Sequence, residues 1–554
     1  MVASKISSFQ GMIPGIDDRL LPENAAADAA NTWLYSGKLE GIRQPKSVHV
    51  CTLANTKRVF RIPTTFTDYG HISDAFWMEF TDPDTDVVKG PIANDAYDRY
   101  YWTSPTTGPK FNSATRIRSG YEPYDLGLPY PVSAPTVTHS GGTSDISETR
   151  AYVFTWISAF GEESAASAAA VVTGKIDDAW VITLTPPTTL QQTNQSLTKA
   201  RIYRTITAST GNSVFYFVAD VTITTTSYTD TITNTVVSGN NQLESTLWTP
   251  PPTALRGMTA MPNGMIVGFR ANEIWFCEPY HPHAWPVSYT LSVDFTIVGI
   301  GVVGQTVVVC TQATTYAVTG IHPSTMTVSK VSTREPCLSR GSILSAPQGV
   351  VYASPNGLVV FGQGQLVNIT QKMFTKDKWL ASLDVPNLRS AQLGSAFYAF
   401  GAAGSTNGGM LDLSDGRLGF NRLTSATGVV NVFNDVWTGE VFIILGNTVY
   451  QIDIAGSQPR SEYVWRSRRF QTTNKRNLEA MKVFFDNPES LTDFGSVKIY
   501  ADERLVTTKS LVKSGQVFRL PSGFKADFWQ FEITSKVVVV SVELATSARE
   551  LASV

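Results

Sequence analysis

Three side chains in one short stretch have the chemistry to hold a metal. Cys277, His281 and His283 lie in CEPYHPHAWP, and Cys-x3-His-x-His could supply thiolate and imidazole ligands of the kind zinc takes. A zinc centre also needs a fourth ligand or a water, and hydrogen bonds that orient the others. Pro279, Pro282 and Trp285 make the same stretch look like a rigid connection between strands, and that reading is preferred. Asp82, Asp84 and Asp86 in TDPDTD resemble the start of a calcium loop. Such a loop needs Gly at its sixth position and Glu at its twelfth. Counted from Asp82, those positions hold Val87 and Ala93, so a polar turn is expected instead.

Other chemistry is no better supplied. NGLVVFGQGQL, from Asn356, carries glycines but no helix pattern follows to cradle a phosphate. The chain has no G-x-S-x-G elbow and no H-E-x-x-H pair. Paired carboxylates of the glycosidase kind converge only in space, so the sequence leaves them open. Arg466, Arg468, Arg469, Lys475 and Arg476 form the densest basic run. It reads as a solvated strand end in preference to a docking or DNA-facing patch. No catalytic, cofactor-binding or metal-binding residue is therefore assigned, no cofactor is expected, and the chain is read as a non-enzyme.

What must position any functional residue is strand and turn. From Leu255 to about Asp453, apolar runs are broken every few residues by Gly, Pro, Asn or Asp. GMIVGFRANEIWFCEPY from Gly264, QTVVVCTQATTYAVTG from Gln305, GVVYASPNGLVVFGQGQLVNIT from Gly349 and GEVFIILGNTVYQIDIA from Gly439 each read as two short strands around a tight turn. Hairpins repeated without helices predict an all-β chain built around a β-propeller.

Composition agrees with that class. Charged residues make up 16% of the 554, below the ~25% of an ordinary soluble domain. Such a weakly charged surface suits burial between subunits. The formal charge is −2, whereas a protein that grips DNA carries a basic excess. Tight nucleic-acid binding is not expected, although a neutral wall past which DNA slides is compatible. Cys51, Cys277, Cys310 and Cys337 form no CxxC pair and read as buried small apolar residues in a chain made in a reducing cytosol. The N-terminus has no signal-peptide pattern, and no segment approaches the ~20 apolar residues of a membrane span.

Composition shifts mark five segments. Residues 1–30 are read as an N-terminal arm, extended at first and ending in a short helix where Pro22 precedes ENAAADAAN. Residues 31–128 and 253–458 are read as two parts of one discontinuous propeller. Residues 129–252, between PYPVSAPTV and LWTPPPTAL, are expected to be an inserted β-sandwich of fibronectin or immunoglobulin type, with an exposed FGEES turn. Residues 459–554 are read as a C-terminal β-sandwich of jelly-roll type.

The opening GMIPGIDDRLLPENAAADAANTWLYSGKLEGIRQP resembles that of tail tube or nozzle proteins of short-tailed bacteriophages, where an arm leads through A-x-x-A-N to a G-x-L-x-x-R turn. The stretch from Leu255 to Thr370 is similar to their propeller core, with Trp285–Pro286 after a strand, Val318 and Gly320 in a turn, and the Cys337, Ser339, Ser342 passage. WRSRRF from Trp465, the turn from Arg519 to Gly523 and the closing SVELATSARELA are similar too. The resemblance implies a structural virion protein made in the host cytoplasm. It would form a homo-oligomeric ring, six-fold in the family, below the portal and its adaptor, the head-to-tail connector. The ring would line the channel for genomic DNA during ejection and carry tail fibres or spikes, with no catalytic residues and no membrane insertion. Two alternatives stand beside it. One is a carbohydrate-binding propeller, a tailspike-like receptor-binding protein or glycan hydrolase, which needs a cleft rich in Trp and carboxylates. The 12 tryptophans are scattered along the chain. The other is a fibre-anchoring adaptor subunit of the same tail.

Overall fold

Short β-rich runs punctuated by turn residues give short antiparallel strands, and the computed structural model is built almost wholly of them. It describes residues 4–66, 72–206, 214–331, 333–414, 418–452, 457–486 and 494–552. The chain is all-β, with many small sheets and only short helices such as Thr189–Gln195 and Lys376–Ser382. Among the described residues no helix is long and apolar enough to cross a membrane. Contacts divide the chain into two compact units. One comprises Met1–Pro83, Cys310–Thr315 and Val331–Val554; the other comprises Asp84–Val309 and Tyr316–Lys330.

The second unit begins with a four-stranded meander of Asp86–Lys89, Arg99–Ser104, Gly108–Ser113 and Tyr124–Asp125. Arg256–Ala260, Ile266–Arg270, Glu273–Phe276 and Leu291–Ser292 form another. A third comprises Ile297–Val303, Thr306–Thr311, Thr315–Thr319 and Thr327–Lys330.

Between the first two meanders lies a pair of sheets. Thr136–Ser140, Ala179–Thr183 and Ser227–Asp230 make one; Ala170–Lys175, Ser147–Ser158, Leu197–Thr205 and Phe215–Thr222 make the other. Alternate residues of both turn inward, so that Trp180 and Ile182 of one sheet share a core with Tyr152, Phe154, Trp156 and Ile202 of the other. The strand order is first–fourth–seventh in one sheet and third–second–fifth–sixth in the other. The FGEES turn, expected to be exposed, is partly buried, with Glu162 and Ser164 inside.

In the first unit two further meanders follow the same plan. One is Leu344–Ala346, Gly349–Ser354, Gly357–Gly362 and Gln365–Asn368. The other is Val429–Asn434, Val441–Leu445 and Thr448–Gln451, completed by Lys46–Val50 from the start of the chain. Residues 453–455, at the end of the stretch from Gly439, lie outside the described residues. Arg58–Phe66 and Ile72–Phe80 form a hairpin.

Residues 1–30 correct the sequence reading. Ala25–Ala30 is a strand, not a helix. It pairs in parallel with Gln10–Met12 and antiparallel with Tyr463–Ser467, inside an eleven-stranded sheet. On one side that sheet continues into Gly419–Arg422, Gly408–Asp412, Ala396–Phe400 and Arg389–Leu393, and on the other into Ala526–Ser535 and Ser496–Ala501. Ser4–Ile6 pairs with Val539–Ala545 in a second sheet. Ile6, Phe9 and Met12 share one core with Trp465, Val483, Phe531 and Val542. Alanine's helix propensity is a weak preference that pairing on both edges overrides. The described part of the expected arm is thus continuous with the 459–554 segment, and its apolar side chains belong to a core of this same chain.

Candidate functional site

The stretch that carries Cys277, His281 and His283 is a rigid turn after Glu273–Phe276, as its prolines imply. Cys277 is fully buried and its Sγ accepts a hydrogen bond from the Ile266 N–H at 3.0 Å. Burial pushes its thiol up to about 12. His281 sets its Nδ1 2.9 Å from the Pro279 carbonyl, so that nitrogen donates, and its ring lies 4.4 Å from Trp248. His283 is buried, its ring 5.8 Å from that of His281. The three side chains therefore point to separate partners.

His283 instead belongs to a buried charged cluster. Arg99, on the first meander, pairs through Nε with Asp95 Oδ2 at 2.8 Å and through Nη1 with Glu162 Oε1 at 2.7 Å. Glu162 comes from the sandwich, and His283 Nδ1 stands 3.9 Å from it. Phe160, two residues before Glu162, packs edge-on against Tyr97, Phe111 and Tyr124. Burial raises the Glu162 carboxyl to about 7, against the pull of Arg99. Burial also lowers the His283 ring to about 3, helped by His281 and Arg99. Among the described residues the His283 Nε2 and the Tyr101 hydroxyl have no hydrogen-bond partner. These contacts lock the sandwich to the meander that precedes it in the chain. The signal in the sequence was an acidic pair beside an aromatic in a turn, but its partner Arg99 lies in another segment.

The other candidates are also placed. Pro83 and Asp84 form a turn and Asp86 opens the next strand, as a polar connection should. Gly357 of the Asn356 stretch sits at φ +143° where a Cβ would come 2.5 Å from Thr370 Oγ1, so it serves the hairpin turn. The basic run is largely neutralised within the chain. Arg468 donates to the Leu21 carbonyl at 3.1 Å and pairs with Glu23, and Arg469 pairs with Glu503 at 2.7 Å. Lys475 pairs with Asp527, and Arg466 lies over Tyr500 and donates to Gln530. Its arginines clamp the loop between Gln10–Met12 and Ala25–Ala30.

Grooves open on the described surface. A groove of about 770 Å³ runs along Ile13, Asp17, Lys378, Asn407, Arg422 and Arg469. A smaller one, about 430 Å³, is lined by Glu244, Trp248, Glu278, His281 and Tyr289, with the Tyr289 hydroxyl donating to Glu278 at 2.8 Å.

One constellation was not visible in the sequence. His49 on Lys46–Val50, Cys51 just beyond it and Glu79 on Ile72–Phe80 bring one imidazole nitrogen, one sulfur and one carboxylate oxygen within 4.8 Å of one another. Among the described residues this is the group able to surround a metal ion. His49 Nε2 lies 2.8 Å from Glu79 Oε1, while Glu79 Oε2 accepts from Leu53 N at 2.6 Å and Thr52 N at 2.9 Å. Burial works to raise the Glu79 pKa, but the Leu53 N–H, the His49 ring and the Thr52 N–H outweigh it and hold the carboxyl below its ordinary range. Burial, and then the charge of Glu79, push the Cys51 thiol up.

The sequence matches no protein-family profile and no curated protein. Among solved structures the chain is similar to Hsv2 of Kluyvelomyces marxianus, at 10% identity, covering 56% of this chain and 90% of that one with a TM-score of 0.25. It is similar also to the WD40 domain of Pan2 from Neurospora crassa, at 10% identity, covering 52% of this chain and 86% of that one, again with a TM-score of 0.25. At that score neither likeness carries an argument.

Proposed function

We propose that this chain is a structural subunit of a short-tailed bacteriophage tail, a nozzle or tube protein that assembles as a ring below the portal and adaptor. In this reading the four-stranded meanders are blades of a β-propeller, the sandwich is an insertion between blades, and the sheets of residues 459–554 form a jelly-roll-like domain joined to the N-terminal strands. One observation carries it. Lys46–Val50, from near the start of the chain, completes the sheet of Val429–Gln451. Such a strand exchange between the two ends of a repeat array is how radial sheets protect their edges and become a rigid block. A ring of such blocks needs heterologous faces on each subunit, and a weakly charged surface offers them. The basic run supports a conduit that does not grip DNA, because carboxylates and carbonyls of the same chain already engage it. In this role the protein is not an enzyme. It contacts adaptor, fibres or spikes and passing DNA.

The test is to image virions by electron microscopy with this chain tagged. A ring of tagged subunits between the connector and the distal end of the tail is expected. Tag density confined to fibre tips, or no incorporation into virions, would reject the reading. The groove of Trp248, Tyr289, Glu244 and Glu278 favours a second reading, carbohydrate binding or cleavage, since aromatic faces and carboxylates are what sugars meet in their sites. Release of reducing sugar from host polysaccharide by the purified chain would favour it over the first.

A further inference from the structure

We propose that His49, Cys51 and Glu79 form a three-ligand site for a divalent cation of the zinc class. The backbone presents the three together. His49 and Cys51 are two residues apart on extended chain, so their side chains emerge on one side. Their backbone is held in place by the Val449 pairing and by a hydrogen bond from Cys51 N to Asn447 O at 2.9 Å. Glu79 is fixed opposite Val59 in the hairpin Arg58–Phe66 and Ile72–Phe80. Zinc bonds of about 2.0–2.3 Å in a tetrahedron place ligand atoms about 3.3–3.7 Å apart. The three atoms already lie within 4.8 Å of one another, so small side-chain rotations suffice.

The surroundings supply what a first ligand set needs. Leu53 N and Thr52 N hold Glu79 Oε2, while Oε1, which Thr52 N also reaches at 3.1 Å, faces His49 Nε2 at 2.8 Å. Hydrogen bonds of that kind orient a ligating carboxylate. The His49 ring is stacked on Trp77, with centroids 5.1 Å apart and planes 12° apart. Cys51 is 4% exposed and the Glu79 side chain 8%, while the His49 side chain is 22% exposed. The site is therefore closed on two sides and open on the third, where a cation can enter and a water can complete four-coordination. A thiolate with an imidazole selects zinc-class ions over magnesium or calcium, which prefer oxygen. On binding, the thiol proton of Cys51 leaves to solvent, the single proton of the neutral His49 ring moves to Nδ1 so that Nε2 is free to ligate, and three metal–ligand bonds form. This inference is independent of the tail assignment.

The same contacts without a metal describe a carboxylate that merely clamps the Thr52–Leu53 turn, and cobalt(II) distinguishes the two. Full-length chain stripped with a chelator is titrated with Co²⁺, then with Zn²⁺. One equivalent of Co²⁺ is expected to produce a thiolate-to-metal charge-transfer band and the visible bands of a tetrahedral ion, both abolished by Zn²⁺. Cys51→Ser should lose the charge-transfer band, and His49→Gln should weaken Zn²⁺ binding at least about tenfold. Circular dichroism is used to check that each variant is folded. If Cys51→Ser does not fold, the His49→Gln comparison decides. No thiolate band in the wild-type chain, a band that survives in Cys51→Ser, or unchanged affinity in His49→Gln would overturn the site.

Discussion

Arg99 faces two buried carboxylates and can neutralise one of them. Asp95 keeps its charge, because the Arg99 contact outweighs its burial. Glu162 is left as the group that holds a proton, up to about pH 7. In the unfolded chain its carboxyl ionises near its ordinary 4.5. Between those two values the folded chain carries a proton that the unfolded chain has lost, so stability falls as pH rises through that window and levels off above about 7. His283 acts in the opposite sense. From its ordinary 6.5 down to about 3 the unfolded chain binds a proton that the folded chain does not, so its contribution rises with pH there. Comparison with Glu162→Gln isolates the carboxyl. The stability of the wild type relative to that variant should decline from pH 4.5 to 7 by up to on the order of 3 kcal/mol. Urea midpoints across that range measure it, and a difference independent of pH would reject the assignment. The individual residues of this cluster stand in the sequence, but their burial does not. Glu162 looks like any charged turn residue until the strand bearing Arg99 closes over it.

At the scale of elements, hairpins were legible and the strand Ala25–Ala30 was not. The stretches from Gly264, Gln305, Gly349 and Gly439 each form the expected pair, for example Ile266–Arg270 with Glu273–Phe276 and Val441–Leu445 with Thr448–Gln451. Both partners and the turn lie within a few residues of each other, so local alternation carries the whole signal. Ala25–Ala30 has its partners elsewhere, with Ala29 opposite Trp465 and Ala30 opposite Val464. Read locally it looks helical; set between neighbours, its small side chains pack against large ones. Ala29 is fully buried, so Ala29→Leu should overpack the core and cost about 1–3 kcal/mol. On a helix of a loose arm the same change would be neutral. A urea midpoint equal to wild type would contradict the strand.

At the scale of the whole chain, the sandwich interrupts its neighbours at a single place. Gly127 meets Pro250 and Pro251 so closely that a Cβ would come within 2.5 Å of the Pro251 ring. The two ends of the insertion therefore run side by side. The sandwich also has a core of its own around Trp180, Phe154 and Ile202. Replacing residues 131–249 by a short Gly/Ser linker should leave a folded chain. It should melt at lower temperature than wild type, because Phe160 leaves its aromatic cluster and Arg99 loses Glu162. The excised segment should fold by itself. Circular dichroism and thermal melting of both pieces check this, and two insoluble products would reject the nesting.

The sequence by itself determined the β class, the hairpins and the low charge. Each is a local or summed property, carried by neighbours in the chain or by composition. Only the tertiary structure decided that Ala25–Ala30 is a strand, that the basic run clamps the N-terminal loop, and that Lys46–Val50 completes the sheet of Val429–Gln451. It also decided which ligand-bearing side chains meet. Cys277, His281 and His283 are close in sequence yet face different partners, whereas Glu79 reaches His49 and Cys51 from another strand. Strand register carries the reason. Side-chain direction alternates at every residue, so whether two groups converge depends on which strands pair and in what register.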